Sequence, residues 1–140
     1  MSEKLLFPSD EWVNEYCKRL KESSDYNKAG KGWKEPIIFR MTEIENLKQK
    51  PPFDSFILYL SDGICEKCSV VTDPNMEAPY KLTATYSNWK KIIDGKINPT
   101  QAMLTGQMKV EGNVAHLLRY ASAAIAMVKV AQSIPTQYLE

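Results

Sequence analysis

The chain has 140 residues, 44% of them hydrophobic, with 18 Lys and Arg against 17 Asp and Glu. A length near the commonest domain size predicts one domain over residues 1–140, burying roughly 68% of the unfolded chain's surface and needing no staple to hold a core. The near-balance of charge removes the global positive field that draws nucleic acid, so no nucleic-acid partner is expected.

No apolar run approaches the roughly 18 residues of a membrane span, and the opening M-S-E-K-L-L-F-P lacks the apolar core and small-residue cleavage site of a signal peptide. The expected location is cytoplasmic. Pro8 and Ser9 then mark a helix start: Ser9 is placed to cap, and Glu11 meets the positive end of the helix dipole. Trp12, Val13, Tyr16, Cys17 and Leu20 recur at helical spacing, which predicts an inward stripe opposite Glu15, Lys18, Arg19 and Lys21. The polar run S-S-D-Y-N-K-A-G-K-G reads as the loop that ends this helix.

After Gly30 and Gly32, Ile37, Phe39 and Met41 alternate with Ile38, Arg40 and Thr42, the period of a strand with one covered face. Pro51-Pro52 break the chain before Phe56, Leu58 and Leu60 repeat that period. Asp62-Gly63 is a hairpin turn signal, and the returning strand is expected from about Cys65 to Val71. Asp73-Pro74-Asn75 turns again, and Leu82, Ala84 and Tyr86 alternate with Lys81, Thr83 and Thr85. Short turns between successive strands imply an antiparallel sheet, of about five strands once Gly106 to Glu111 is counted.

Two short helices fall between Ser87 and Leu104, the first ending at Gly95 and the second following Asn98-Pro99. Asn113 is placed to cap a long, apolar last helix. Leu117, Leu118, Ala121, Ile125 and Val128 form one stripe on it, and Tyr120, Ala124, Met127 and Ala131 a second. Pro135 closes this helix and leaves P-T-Q-Y-L-E as a mobile or draped tail.

Between Thr83 and Ala131 the chain resembles the sterol carrier protein type 2 (SCP-2 like) lipid-binding domains. The residues that carry the resemblance are Asn88 to Asp94, then Gly95-Lys96-Ile97-Asn98-Pro99, then Met103-Leu104-Thr105-Gly106-Gln107-Met108-Lys109-Val110-Glu111-Gly112-Asn113. They match the family's helix, its Gly-Lys-aliphatic-x-Pro linker, and its small-Gly-aliphatic-basic-aliphatic-x-Gly-Asn strand. The resemblance implies an apolar tunnel between sheet and helices that takes fatty acyl chains, fatty acyl-CoA, sterols or other lipids. The chain's end, Gln137-Tyr138-Leu139-Glu140, is not a peroxisomal signal of the S-K-L type, which again suits a stand-alone cytoplasmic protein.

Other chemistry finds little support. Cys65-Glu66-Lys67-Cys68 has C-x-x-C spacing, yet redox pairs of that kind sit at helix N-termini, and these fall on an expected strand where alternation turns them to opposite faces. A zinc site needs about four ligands, and only Cys17 and His116 remain to complete one, so no metal is expected. His116, the one histidine, lies in the first turn of the last helix with no glycine-flanked nucleophile for it to serve. A capping or solvated histidine is the expectation, as solvation is for the strand-end pairs Glu43 and Glu45, Asp62 and Glu66, Asp73 and Glu77. Neither G-x-x-x-x-G-K-[ST] nor G-x-G-x-x-G occurs. No cofactor and no catalysis are expected.

The expectation is therefore an α+β domain whose sheet of about five antiparallel strands is covered on one face by helices and encloses an apolar tunnel. The expected ligand-binding set is Phe39, Met41, Leu58, Leu60, Leu82 and Ala84 from the sheet, and Trp89, Ile93, Met103, Leu104 and Met108 from the short helices and their linker. Leu117, Ala121 and Ile125 from the last helix complete it. Flexible methionines suit a tolerant pocket. The segment Trp89 to Met108 is expected to govern ligand access. Lys90 and Lys91 beside it give a basic rim suited to transient contact with a membrane surface. The alternative is a ligand-free homodimer or a docking module for an enzyme of lipid metabolism.

Overall fold

The structure, a computed structural model, describes residues 3–140. Its elements are β1 (Leu5–Leu6), α1 (Asp10–Glu22), α2 (Ser24–Ala29), β2 (Ile37–Thr42), β3 (Ser55–Ser61), β4 (Ile64–Val70), β5 (Tyr80–Thr85), α3 (Tyr86–Ile93), α4 (Pro99–Thr105), β6 (Lys109–Glu111), α5 (Val114–Leu118), α6 (Ala121–Gln132) and β7 (Thr136–Gln137). The helix starts follow the cap chemistry. Ser9 accepts from the Trp12 N–H, Asn98 from those of Thr100 and Gln101 with Pro99 in the first turn, and Asn113 from that of His116.

The main sheet runs β4-β3-β2-β5-β6. It is mostly antiparallel, with one departure from the expectation: β2 and β5 pair in parallel, Ile37 opposite Tyr80 through Thr42 opposite Thr85. The chain steps outward from β2 through β3 to the edge strand β4. It then returns past both by the connection from Val71 to Pro79, so consecutive strands are not all neighbours. That return covers part of the far face, where Ile38, Ile57 and Val71 bury themselves with Met76 and Ala78 packed against them. Burial on the far face explains why β2 and β3 carry near-continuous apolar runs.

Two further departures concern helices. The polar run after Glu22 is not loop: Ser23 caps α2 by accepting from the Tyr26 N–H, and Tyr26 is buried. The expected long last helix is divided at Arg119 and Tyr120 into α5 and α6, which shifts the phase of everything after the break.

The register also revises the cysteine reading. Leu58 pairs with Cys68 and Leu60 with Cys65, so one extra residue is accommodated in β4 between them and a bulge intervenes. Leu58 and Leu60 share a face, and so, against strict alternation, do Cys65 and Cys68. That face meets α1. Cys17 is joined to Cys65 by a disulfide with the Cα atoms 5.4 Å apart, and the Cys68 thiol donates to Asn14 Oδ1 at 3.2 Å. Burial pushes the Cys68 thiol above its ordinary pKa.

Candidate ligand-binding cavity

Between the inner face of the sheet and the helical layer lies a cavity of about 100 Å³ with an almost wholly apolar lining. Of the expected ligand-binding set, Phe39, Met41, Leu60 and Leu82 line it from β2, β3 and β5. Trp89, Ile93, Met103, Met108 and Leu117 line it from the helices and the turn before β6. Leu58 and Ala84 are buried in the core but do not reach the wall, and Ala121 is likewise off it. Leu104 and Ile125 point outward, 68% and 40% exposed. The break before α6 accounts for the absence of Ala121 and Ile125: with the phase shifted, the wall takes Tyr120, Ala124, Met127 and Ala131, the whole of the second stripe, and only Leu117 and Val128 of the first.

Sequence reasoning left out a whole side of the cavity. Phe7, Trp12, Tyr16, Tyr26 and Trp33 line it from the N-terminal segment, from α1 and α2, and from the approach to β2. Trp12 and Tyr16 were on a legible inward stripe, but nothing in the spacing says whether such a stripe meets core or void. Tyr26 was legible only through its cap: Ser23 three residues before it, with Asp25 in the first turn and Gly30 at the end.

Four polar atoms of the wall are committed to partners within the protein. Trp12 Nε1 donates to Thr136 Oγ1 at 3.0 Å, Trp33 Nε1 to the Glu35 carbonyl at 2.7 Å and Trp89 Nε1 to the Arg40 carbonyl at 2.8 Å. The Tyr16 hydroxyl donates to the Met127 carbonyl at 3.0 Å. Each ring thus satisfies its polar atom in the protein and offers carbon to the interior. Burial holds the Tyr16 phenol neutral far above its ordinary pKa and pushes that of Tyr26 up to about 12. Such a wall can bind an aliphatic chain by area alone.

His116 lies outside this chemistry. It stacks on Trp33, ring centroids 5.2 Å apart and planes 19° from parallel, with Tyr80 and Tyr120 against the same pair. Among the described residues no three His, Cys, Asp or Glu side chains gather as a metal site would need, and no helix is long and apolar enough to cross a membrane.

Exposure locates the opening. Nearly all the lining residues are buried; the half-exposed ones are Met103 on α4, Tyr120 immediately before α6, and Ala124, Met127 and Val128 on α6. The cavity therefore approaches solvent along α4 and α6, which pack on each other. α3 is not part of this opening: Tyr86, Trp89, Ile92 and Ile93 bury its inner face, and the indole of Trp89 is hydrogen-bonded to β2. Lys90, expected on a free basic rim, lies over the Tyr138 ring at 5.3 Å.

A mostly antiparallel five-stranded sheet covered by helices is the arrangement the resemblance implied, and a sequence profile of the SCP-2 sterol transfer family matches residues 13–124. The chain belongs to that family. A crystal structure of sterol carrier protein 2 is similar at 27% identity and a TM-score of 0.78, over 90% of this chain and 97% of the other. The solution structure of a conserved hypothetical protein of Thermus thermophilus, described as possibly a sterol carrier protein, is similar at 28% identity and a TM-score of 0.82, over 98% and 94%. A solution structure of the Aedes aegypti sterol carrier protein 2 in complex with palmitate shares the fold at 22% identity and a TM-score of 0.53, over 90% and 98%. No curated protein sequence matches the chain. As an SCP-2 domain, this one keeps the family's linker at Gly95 to Pro99 as a tight turn, with Gly95 at φ 79°.

Proposed function

We propose that this SCP-2 domain, spanning residues 1–140, is a cytoplasmic lipid carrier that sequesters the aliphatic part of a fatty acyl, fatty acyl-CoA or sterol-like ligand in the cavity under α4 and α6 and performs no covalent chemistry. The observation that carries this reading is the lining itself: apolar on every side, with the indole N–H groups and the Tyr16 hydroxyl committed elsewhere. Each methylene moved from water into such a wall contributes about 0.8 kcal/mol. Selectivity then rests on length and shape. The palmitate in the complex of the mosquito protein is a ligand of that chemical class.

At about 100 Å³ the cavity is smaller than the roughly 300–1,000 Å³ usual for small-molecule sites, so a ligand enters only as the walls yield. Met41, Met103, Met108 and Met127 are on the wall, and an unbranched thioether repacks around guests of different shape more readily than a branched side chain. The test is displacement of a fluorescent fatty acid, together with mass spectrometry of lipids extracted from purified protein. Saturable, stoichiometric binding is expected, weakened about tenfold or more by Ala124→Trp, which fills the half-exposed mouth without touching the buried core. Absence of binding by the unaltered protein, or full binding by this variant, would sink the reading.

A further inference from the structure

We propose that the Cys17–Cys65 bond is a reversible thiol–disulfide exchange site whose state sets how fast ligand enters and leaves the cavity. The part that concerns ligand rests on the lipid-carrier reading; the exchange chemistry rests on the cysteines themselves. Cys17 lies on α1 and Cys65 on the edge strand β4, both are buried, and α1 packs on β4 more than on any other element. A buried disulfide is ordinarily a staple, and a chain of this length with a continuous core needs none. What sets this one apart is that its reduced state is provided for. Cys17 Sγ lies 3.4 Å from the Cys65 carbonyl oxygen, and Cys65 Sγ lies 3.7 Å from the Lys67 carbonyl oxygen. A disulfide sulfur has no hydrogen to give, so these contacts become hydrogen bonds only once the bond is cut. Each buried thiol then has an acceptor in place, and neither state strands a donor.

The bond bears on the cavity through α1. Trp12 and Tyr16 are wall residues, and Tyr16 adjoins Cys17. The Tyr16 hydroxyl donates to the carbonyl of Met127, itself a half-exposed wall residue on α6. α1 is thus held between the edge strand on one side and the α6 wall on the other. Because the bond is buried, a reductant reaches a sulfur only when α1 opens from β4, and the same opening parts the wall. The reactant is a dithiol. Its thiolate attacks one sulfur of the bond, forming a mixed disulfide and releasing the other cysteine as a thiolate; its second thiol then displaces the first cysteine. The dithiol becomes a disulfide, and its two electrons and two protons pass to Cys17 and Cys65. With the bond cut, α1 is joined to β4 by packing and by the hydrogen bond from the Cys68 thiol to Asn14, so opening is more frequent and exchange is faster.

Dithiothreitol and its oxidised form are the probes. Alkylation in denaturant, read by mass spectrometry, should find one free thiol in the oxidised protein and three after dithiothreitol. Oxidised dithiothreitol should restore the first count, with circular dichroism unchanged throughout. Release of cis-parinaric acid should be about tenfold faster from the reduced protein, and amide exchange in Trp12 to Leu20 should rise by a similar factor. Ligand at about ten times its Kd should slow the reduction about tenfold, since it binds the closed state and not the open one. The double variant Cys17→Ala, Cys65→Ala should release fast under both conditions, whereas Cys68→Ala should keep the response. Thiols that oxidised dithiothreitol cannot join would overturn the proposal. So would a reduced protein that unfolds, which would make the bond a staple, or equal release and equal amide exchange in the two states. Failure to take up cis-parinaric acid in either state would strike the carrier reading instead, and the thiol counts and amide exchange would then decide the exchange site alone.

Discussion

The phenols of Tyr16 and Tyr26 show at single-residue scale what the cavity wall demands. Both are buried and both are held neutral above the ordinary tyrosine pKa, Tyr26 to about 12. A group whose folded pKa is raised contributes stability that is complete below its unfolded value and is lost as pH rises toward the folded one. Unfolding free energy should therefore be flat through neutrality and fall between about pH 10 and 12, by on the order of 2 to 3 kcal/mol from Tyr26 alone. Urea titrations across that range check it, and Tyr26→Phe should flatten part of the slope. Gly63 makes a second residue-scale case. The Asp62-Gly63 turn was legible as a hairpin, and both residues have positive φ, 50° and 84°. Hidden from the sequence was the neighbour: a Cβ on Gly63 would lie 2.2 Å from the Asn27 carbonyl oxygen. Gly63→Ala should cost about 2 to 4 kcal/mol, measured by thermal or urea unfolding, whereas a free surface turn would lose little more than the left-handed penalty of about 1 kcal/mol. The cysteines failed for a related reason. Alternation is a rule for a strand without bulges, and whether one extra residue is accommodated in β4 depends on the partner strand, which local sequence does not report.

At the scale of elements, periodicity and caps were legible and phase was not. Ser9, Asn98 and Asn113 identified three helix starts because a cap is a local hydrogen bond between residues two or three apart. The break at Arg119 and Tyr120 has no such marker: neither glycine nor proline stands there, and the apolar spacing runs through it. Mobility was likewise assigned too broadly. α3 and α4 are both short, but α3 buries four residues and is tied by Trp89 to β2, whereas α4 buries only Pro99 and Ala102. Isolated helices this short are marginal, so protection follows packing. Amide exchange should be faster in Gln101 to Thr105 than in Trp89 to Ile93, and only the former should slow markedly on addition of a fatty acid. Equal rates in the two segments, or a ligand effect confined to α3, would remove α4 as the moving wall.

The whole molecule is closed by its ends, the feature the sequence concealed most completely. The last residues read as a mobile or draped tail beyond Pro135, since P-T-Q-Y-L-E has neither periodicity nor cap. In the structure β7 pairs in parallel with β1, with the Phe7 N–H donating to the Gln137 carbonyl and the Leu5 N–H to the Pro135 carbonyl. The Tyr86 hydroxyl donates to the Phe7 carbonyl at 2.6 Å and accepts from the Leu139 N–H at 3.0 Å. Both ends are thereby bound to the first residue of α3. Leu139 is 4% exposed. The contacts reach the cavity as well: Phe7 and Trp12 are on its wall, Thr136 holds the Trp12 indole, and Tyr138 packs on Phe7 with ring centroids 6.0 Å apart. Removing residues 136–140 would expose Leu139's site, leave the Trp12 N–H unpaired in the interior and free Phe7 to move. Buried leucine loss costs about 2 to 5 kcal/mol and an unsatisfied buried donor about 1 to 3. The truncated protein should therefore unfold at markedly lower urea and bind fatty acid more weakly, because two of its wall residues lose their support. Leu139→Ala should reproduce about half of the stability loss with less effect on binding, since Thr136 still holds Trp12. An unchanged urea midpoint in the truncated protein would mean that the wall stands without the ends, and that the pairing of β1 with β7 adds nothing to it.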